Sequence, residues 1–117
     1  MTCFAARNEV CKHPDDTLTR YVDFGPLLNT GETVSSATAT CSDTTVTVGT
    51  PAVLSSATTD RDEYGNAYTI AANEGVSIAL SGGTAIESYE DAAELTVTAT
   101  LSTTEDVVIV CLLRVES

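Results

Sequence analysis

Large aromatic and basic side chains are scarce in this sequence of 117 residues. It has no tryptophan, two phenylalanines and four tyrosines, so its core must be built mainly from Val, Leu, Ile and Ala. Such a core suits a thin sandwich better than a cavity that holds a ligand. Five basic residues stand against 17 acidic ones, for a formal net charge of -12. Because binding to phosphates needs clustered Lys and Arg, this balance argues against nucleic acid and against anionic membranes.

Long apolar runs and helical patterns are also missing. No stretch of about 18 apolar residues is present, so we expect no membrane span. The first ten residues, MTCFAARNEV, lack the apolar core of a signal peptide. We therefore expect synthesis in the cytoplasm, where the four cysteines stay reduced at first. A length of 117 residues indicates one domain.

Residue sets typical of catalysis or metal binding are weak. His13 is the one histidine and follows Cys11 by two residues, but nothing supplies an orienting group or an oxyanion hole. A zinc site from Cys3, Cys11, His13 and Cys41 lacks the tight Cys-x2–4-Cys spacing. The stretch Asp60 to Gly65 imitates a calcium loop only in part. We expect no enzyme, no metal and no cofactor.

The strongest pattern is a pair of strands between Glu94 and Val115. Alternate positions from Leu95 to Leu101 are apolar, with threonines between them, which predicts a strand with one buried face. Ser102 to Asp106 is a polar break, and Val107 to Val115 is apolar on both faces. Such a strand needs cover on both sides, from a second sheet or from another chain.

Earlier segments predict further short strands separated by turn signals. The predicted strands include 18–24, 33–41, 44–48 and 76–80, with weaker ones at 52–58 and 69–72. Asp60 to Tyr68 is predicted as a polar loop, and Gly82-Gly83 as a two-residue turn with positive φ at both glycines. The pattern predicts an all-β fold, an immunoglobulin-like β-sandwich of about seven strands over residues 15–117.

Residues 1–14 are predicted to form a short extended N-terminal arm. It is either a loose terminus or an arm that orders on a neighbouring subunit. In the second case the partner interface combines the arm with the outer face of the last strand. The residues predicted for this interface are Phe4, Arg7, Val10, Lys12, Val108, Val110 and Leu112.

The cysteines leave two pairings open. Cys41 and Cys111 are expected to be core thiols that face each other across the two sheets. Under oxidising conditions a Cys41–Cys111 or a Cys3–Cys11 bridge is feasible, and the sequence does not decide between them.

Short motifs occur in both halves of the chain. Lys12-His13-Pro14-Asp15-Asp16 precedes Tyr21-Val22-Asp23-Phe24, and the segment 31–37 reads Gly-Glu-Thr-Val-Ser-Ser-Ala. Together with 76–84 and the closing Val115-Glu116, they resemble a family of tailed-bacteriophage proteins, the phage-related fibre or head-fibre proteins. The positions expected to hold the motif together are Tyr21, Asp23, Gly31, Gly82, Gly83 and Tyr89.

The resemblance implies a virion structural protein, a capsid decoration or cement protein or a head fibre. The implied partner is the major capsid protein, on the capsid exterior of the virion, and a homo-oligomer, such as a trimer, is expected. Two alternatives remain open: a collar, neck or tail-associated fibre module, and a glycan-binding module on the virion surface. No catalytic residues carry over from this family.

Overall fold

The chain folds as an all-β protein in a computed structural model, which describes residues 9–61, 64–86 and 92–116. Ten strands lie in these ranges, and the one helical element is a 3-10 turn at Gly25–Leu27. The strands are β1 Glu9–Lys12, β2 Leu18–Asp23, β3 Val34–Cys41, β4 Val46–Val48, β5 Ala52–Val53, β6 Thr58–Arg61, β7 Ala67–Ile70, β8 Gly75–Gly82, β9 Ala93–Leu101 and β10 Asp106–Val115.

The strands form two main sheets that enclose one core. Sheet A has the order β1-β10-β9-β3, and sheet B has the order β2-β8-β4 with β5 also paired to β8. In immunoglobulin-like sandwiches one sheet centres on the F strand between C and G, and the other on E between B and D. Here β9 takes the F position and β8 the E position. The predicted all-β, immunoglobulin-like sandwich is confirmed.

The predicted alternation of β9 and β10 is seen in their burial. Every second residue of β9 from Ala93 to Leu101 is buried, and the intervening threonines are half-buried. On β10 the buried positions are Cys111, Leu113 and Val115. These side chains meet Val76, Ile78 and Leu80 of sheet B, which are 0% exposed. Burying each such aliphatic side chain stabilises the fold by about 1.5–3 kcal/mol.

The last part of the expected arm is a strand of the fold. β1 pairs in parallel with the end of β10, in a register that joins Glu9 to Leu112 and Lys12 to Val115. A tight turn follows, in which the Asp16 amide donates to the His13 carbonyl and the His13 amide to the Asp16 carboxylate. Phe4 and Arg7 lie outside the described residues.

Two further predictions need correction. The stretch expected as a polar loop contains a separate hairpin, in which β6 and β7 pair from Thr58–Ile70 to Arg61–Ala67. Gly82 and Gly83 do adopt positive φ angles of 72° and 98°. They do not close a two-residue hairpin, because the next described strand, β9, belongs to the other sheet. With these changes the described residues hold ten strands, where about seven were expected.

Candidate interaction surface

An aliphatic ridge, defined as Val108, Val110 and Leu112, crosses the outer face of sheet A. The exposed fractions of the three residues are 52%, 46% and 47%. They alternate along β10 with the side chains that enter the core, so the period of the strand places them on the solvent side. The sequence predicted this face of β10 to need a partner, and in the described residues the ridge is open to solvent.

Polar groups surround the ridge on three sides. On β9 the residues paired with Val108, Val110 and Leu112 are Thr98, Thr96 and Glu94. Along β10 itself the same face continues to a carboxylate at one end and a guanidinium at the other. The ridge is thus a narrow apolar band on a threonine-rich surface.

The two charged ends of this face are held by neighbouring strands. Asp106 is exposed, and its Oδ1 accepts a hydrogen bond of 2.8 Å from the Thr100 hydroxyl. Arg114 is half-buried, and its Nη2 lies 3.7 Å from the Cys11 Sγ. Sequence reasoning missed both ends, although the alternate positions 106, 108, 110, 112 and 114 read Asp-Val-Val-Leu-Arg.

Two residues predicted for the interface are buried inside the chain. Val10 is 6% exposed and packs in the core, and Lys12 is 4% exposed. The Lys12 Nζ donates hydrogen bonds of 2.6 Å to the carbonyls of His13 and Gly82, with the Pro14 carbonyl at 3.5 Å. Because Gly82 ends β8, the ammonium joins the edge of sheet A to sheet B. We therefore leave Val10 and Lys12 out of the interaction surface.

A cavity of about 200 Å³ lies beside Lys12. Its lining includes both acidic and basic side chains. The lining residues are Cys11, Lys12, His13, Asp16, Leu18, Arg20 and Glu116. The Glu116 Oε2 is buried and has no hydrogen-bond partner among the described residues. The His13 Nδ1 accepts from the Asp15 amide at 3.1 Å. Cys11 is disulfide-bonded, so it offers no thiol to His13 for nucleophilic chemistry.

The free thiols do not pair across the sandwich. Cys41 and Cys111 both lie in sheet A, on either side of Leu95 in the same row of the sheet. Two strand spacings separate them by about 10 Å, beyond the Cα separation that a disulfide spans. Burial raises the pKa of both thiols. Cys3, the other cysteine of the expected bridges and of the zinc hypothesis, lies outside the described residues.

The motif residues have structural contacts. Asp23 Oδ1 accepts a 2.8 Å hydrogen bond from the Gly25 amide, which stabilises the turn after β2. Tyr21 is half-buried on β2 opposite Ser77, and Gly31 adopts a φ of 85°. Tyr89 lies outside the described residues.

Hydrogen bonds within the β6–β7 hairpin involve the stretch from Asp60 to Gly65 that imitates a calcium loop. Tyr68 donates to the Asp60 carboxylate at 3.2 Å, and Arg61 Nη1 donates to the Gly65 carbonyl at 2.7 Å. Residues 62 and 63 lie outside the described ranges. Across the described part of the chain, no three His, Cys, Asp or Glu side chains are grouped to hold a metal ion.

Comparisons of the chain with family models, with curated proteins and with solved structures found no match. The resemblance to phage fibre proteins therefore stays a prediction. No helix in the described ranges has the length and apolarity needed to cross a membrane. The proposed function therefore rests on the fold and on the geometry of the surface.

Proposed function

We propose that this chain is a structural protein of a tailed-phage particle that attaches to the outer surface of the capsid. In this role it binds to the surfaces of other proteins and catalyses no reaction. The observation that carries the proposal is the aliphatic ridge on β10, which leaves about half of three large side chains exposed on a rigid sheet. Apolar bands of this kind on a polar surface are typical of sites where another protein binds.

Charge supports an exterior position. With a formal net charge of -12, the chain is repelled by packaged nucleic acid and by anionic membranes. An acidic surface on the particle also limits its non-specific association with other proteins. An oligomer of the chain that contacts several identical capsid sites at once attaches more tightly than one contact alone allows.

The test is the position and number of copies on purified particles. Tens to hundreds of copies on the capsid exterior, seen by cryo-electron microscopy and quantified by mass spectrometry, are expected. About a dozen copies or fewer at a neck or tail would refute the capsid site and favour a collar or tail fibre. A chain found only in soluble host extract would refute the proposal as a whole.

A substitution on the ridge separates association from folding. Leu112→Asp places a carboxylate in the apolar band and should disturb assembly on particles. Thr47→Asp, on an exposed position of β4 in sheet B, adds the same charge away from the ridge and serves as the control. A soluble, monodisperse Leu112→Asp protein that still decorates particles would count against the ridge as the surface of association.

A further inference from the structure

β3 forms one edge of sheet A and is the longest edge strand among the described residues. It runs over Val34–Cys41, and in these ranges its one partner strand is β9. Natural proteins usually protect a long edge with charged residues, with proline or with a bulge along it. β3 has no charged residue and no proline, and its one irregularity lies at its start, between Val34 and Ser36. Residues 36–41 therefore form a regular edge to which a further strand can be added.

The other edges of the two main sheets are less suited to pairing. β1 is four residues long and carries Glu9 and Lys12. β2 carries Arg20 and Asp23, and β4 and β5 have three and two residues. Charge and short length are both features that discourage the addition of a strand. Among the edges that the structure describes, β3 is the one that combines length with neutrality.

The pairing of β3 with β9 decides which of its backbone groups point outward. Just after β3, the Ser42 amide donates to the Glu94 carbonyl of β9 at 2.9 Å. Backbone groups of an antiparallel strand point to alternate sides, so every second residue before Ser42 also bonds to β9. The residues between them point their amides and carbonyls away from the sheet, and these are Ala37, Ala39 and Cys41. In the described part of the chain, none of these groups has a hydrogen-bond partner.

We infer that this edge binds β3 of a second copy of the chain, with the two strands antiparallel around a two-fold axis at Ala39. The two sheets A then join into one continuous sheet. Ala39 pairs with Ala39, and Ala37 pairs with Cys41 of the other copy, as pairs that exchange both of their hydrogen bonds. Every outward amide and carbonyl of both copies finds a partner, in about six hydrogen bonds. An edge that matches a reversed copy of itself meets the condition for a two-fold symmetric interface.

The side chains fit a second copy in the same register. On the outer face the exposed Thr38 lies opposite Thr40 of the other copy, and cross-strand threonine pairs stabilise a sheet. Although each copy has a net charge of -12, no charged side chain of β3 meets another across the new pair of strands. A two-fold axis at Thr38 would instead place Cys41 opposite Ser35, in the irregular start of β3. The axis at Ala39 is therefore the one that uses the whole regular edge.

The contact is expected to be weak. Two paired edge strands bury less surface than the roughly 1,200 Å² at which stable interfaces begin. We therefore expect dissociation constants between about 10 µM and about 1 mM, and more dimer at about 0.5 M salt, where the repulsion between two acidic copies is screened. The edge of sheet A leaves the ridge on the outer face of β10 open. The inference goes beyond the proposed function and does not depend on it.

Removal of one outward amide tests the pairing. Ala39→Pro deletes a donor at the two-fold axis, and proline is tolerated on an edge strand where the amide faces outward. Ala39→Ser keeps the amide and nearly the same side-chain size, and is the matched control. By sedimentation equilibrium at about 0.5 M salt, the wild type and Ala39→Ser should associate, and Ala39→Pro should associate at least about tenfold more weakly. Thermal unfolding with circular dichroism checks that each variant is folded at the temperature of the measurement.

Cysteine cross-linking tests the register even if the proline variant fails to fold. Position 38 of one copy faces position 40 of the other at a Cα distance of about 4.5 Å, which a disulfide spans. Two positions 38, or two positions 40, are about 8 Å apart, which is too far. After mild oxidation with oxidised glutathione, a mixture of Thr38→Cys and Thr40→Cys proteins should give a covalent dimer on non-reducing gels. Each variant alone should give no more dimer than the wild type, which controls for the native cysteines.

Defined results would overturn the inference. A wild type that is monomeric at about 1 mM, association that survives Ala39→Pro, or a mixture that does not cross-link refutes it. Cross-linking of either cysteine variant alone above the wild-type level refutes the axis at Ala39. A monomeric wild type whose particle binding is lost in Ala39→Pro assigns the edge to a strand of the capsid, which refutes the second copy and supports the proposed function. A dimer that does not bind particles supports the inference and refutes the proposed function.

Discussion

Replacing Lys12 by methionine tests how the two sheets are joined at one end of the sandwich. The Lys12 side chain is 4% exposed, and its ammonium donates to carbonyls of His13 and Gly82 at 2.6 Å. Methionine has a similar length and no donor, so the change removes the hydrogen bonds while largely filling the space. We expect a folded protein of lower stability.

The size of the loss follows from these contacts. A hydrogen bond from a charged group contributes about 1.5–3 kcal/mol, and a buried carbonyl left without a donor costs about 1–3 kcal/mol. Against this, methionine removes the cost of burying a charge. We expect a net loss of about 2–4 kcal/mol. With an unfolding entropy of about 2.1 cal/mol/K per residue, a loss of about 3 kcal/mol lowers Tm by about 12 °C for a chain of this length.

Urea unfolding followed by circular dichroism, with thermal melts in parallel, measures the effect. Arg20→Met is the matched control, because this long basic side chain is half-exposed and makes one weak contact of 3.3 Å to the Thr19 carbonyl. It should cost less than about 1 kcal/mol. A Lys12→Met protein as stable as the wild type would refute the reasoning, since it would show that the bonds of the ammonium only balance its burial.

Four smaller predictions concern turns. Gly83→Ala should cost about 2–4 kcal/mol in urea unfolding, since its Cβ would lie 2.9 Å from a valine methyl of β10. At Gly31 φ is also positive, but among the described residues no atom beyond the two chain neighbours lies within 4 Å of an added Cβ. Gly31→Ala should therefore cost about 1–2 kcal/mol, and a cost equal to that of Gly83→Ala would argue against the steric account. Thr104→Gly should raise Tm by a few degrees, because a threonine at a φ of 70° is strained, and a lower Tm would contradict this. Hydrogen bonds from the Thr45 hydroxyl and amide lower the pKa of Asp43 below its ordinary 3.8. The Asp43 carboxylate therefore stabilises the fold above pH 3.8. This stabilisation is lost as the pH falls through the lower pKa of the folded state. Asp43→Asn should therefore be less stable than wild type at neutral pH, and the difference should shrink as the pH falls below 3.8. A difference that stays constant as the solution is acidified would contradict the linkage.

Local pattern was enough to predict the strands that build the core. Alternation of apolar and polar residues predicted β9 and β10, with a polar break between them. Asp106, which was predicted to end that break, is instead the first residue of β10. The strand around Val76 to Leu80 was predicted in the same way, and it lies at the centre of sheet B. Side-chain period reports which face is buried, so strands with one polar face are the easiest to recognise.

Long-range pairing was beyond what local pattern reports. β1 is four residues long, and its partner in sheet A is about one hundred residues away along the chain. The burial of Lys12 has the same origin, since the Gly82 carbonyl comes from the opposite sheet. Nothing in the spacing of residues 9–12 indicates either contact. The distance between Cys41 and Cys111 could not be predicted either, because local pattern does not show that both strands belong to sheet A.

The sequence likewise predicted one part of the candidate surface and not the other. An apolar outer face on β10 could be read from the sequence, because a strand apolar on both faces cannot satisfy both with one core. Which residues surround that face is a property of the sheet. β9 supplies the threonine row, and the strand ends supply Asp106 and Arg114 as opposite charges.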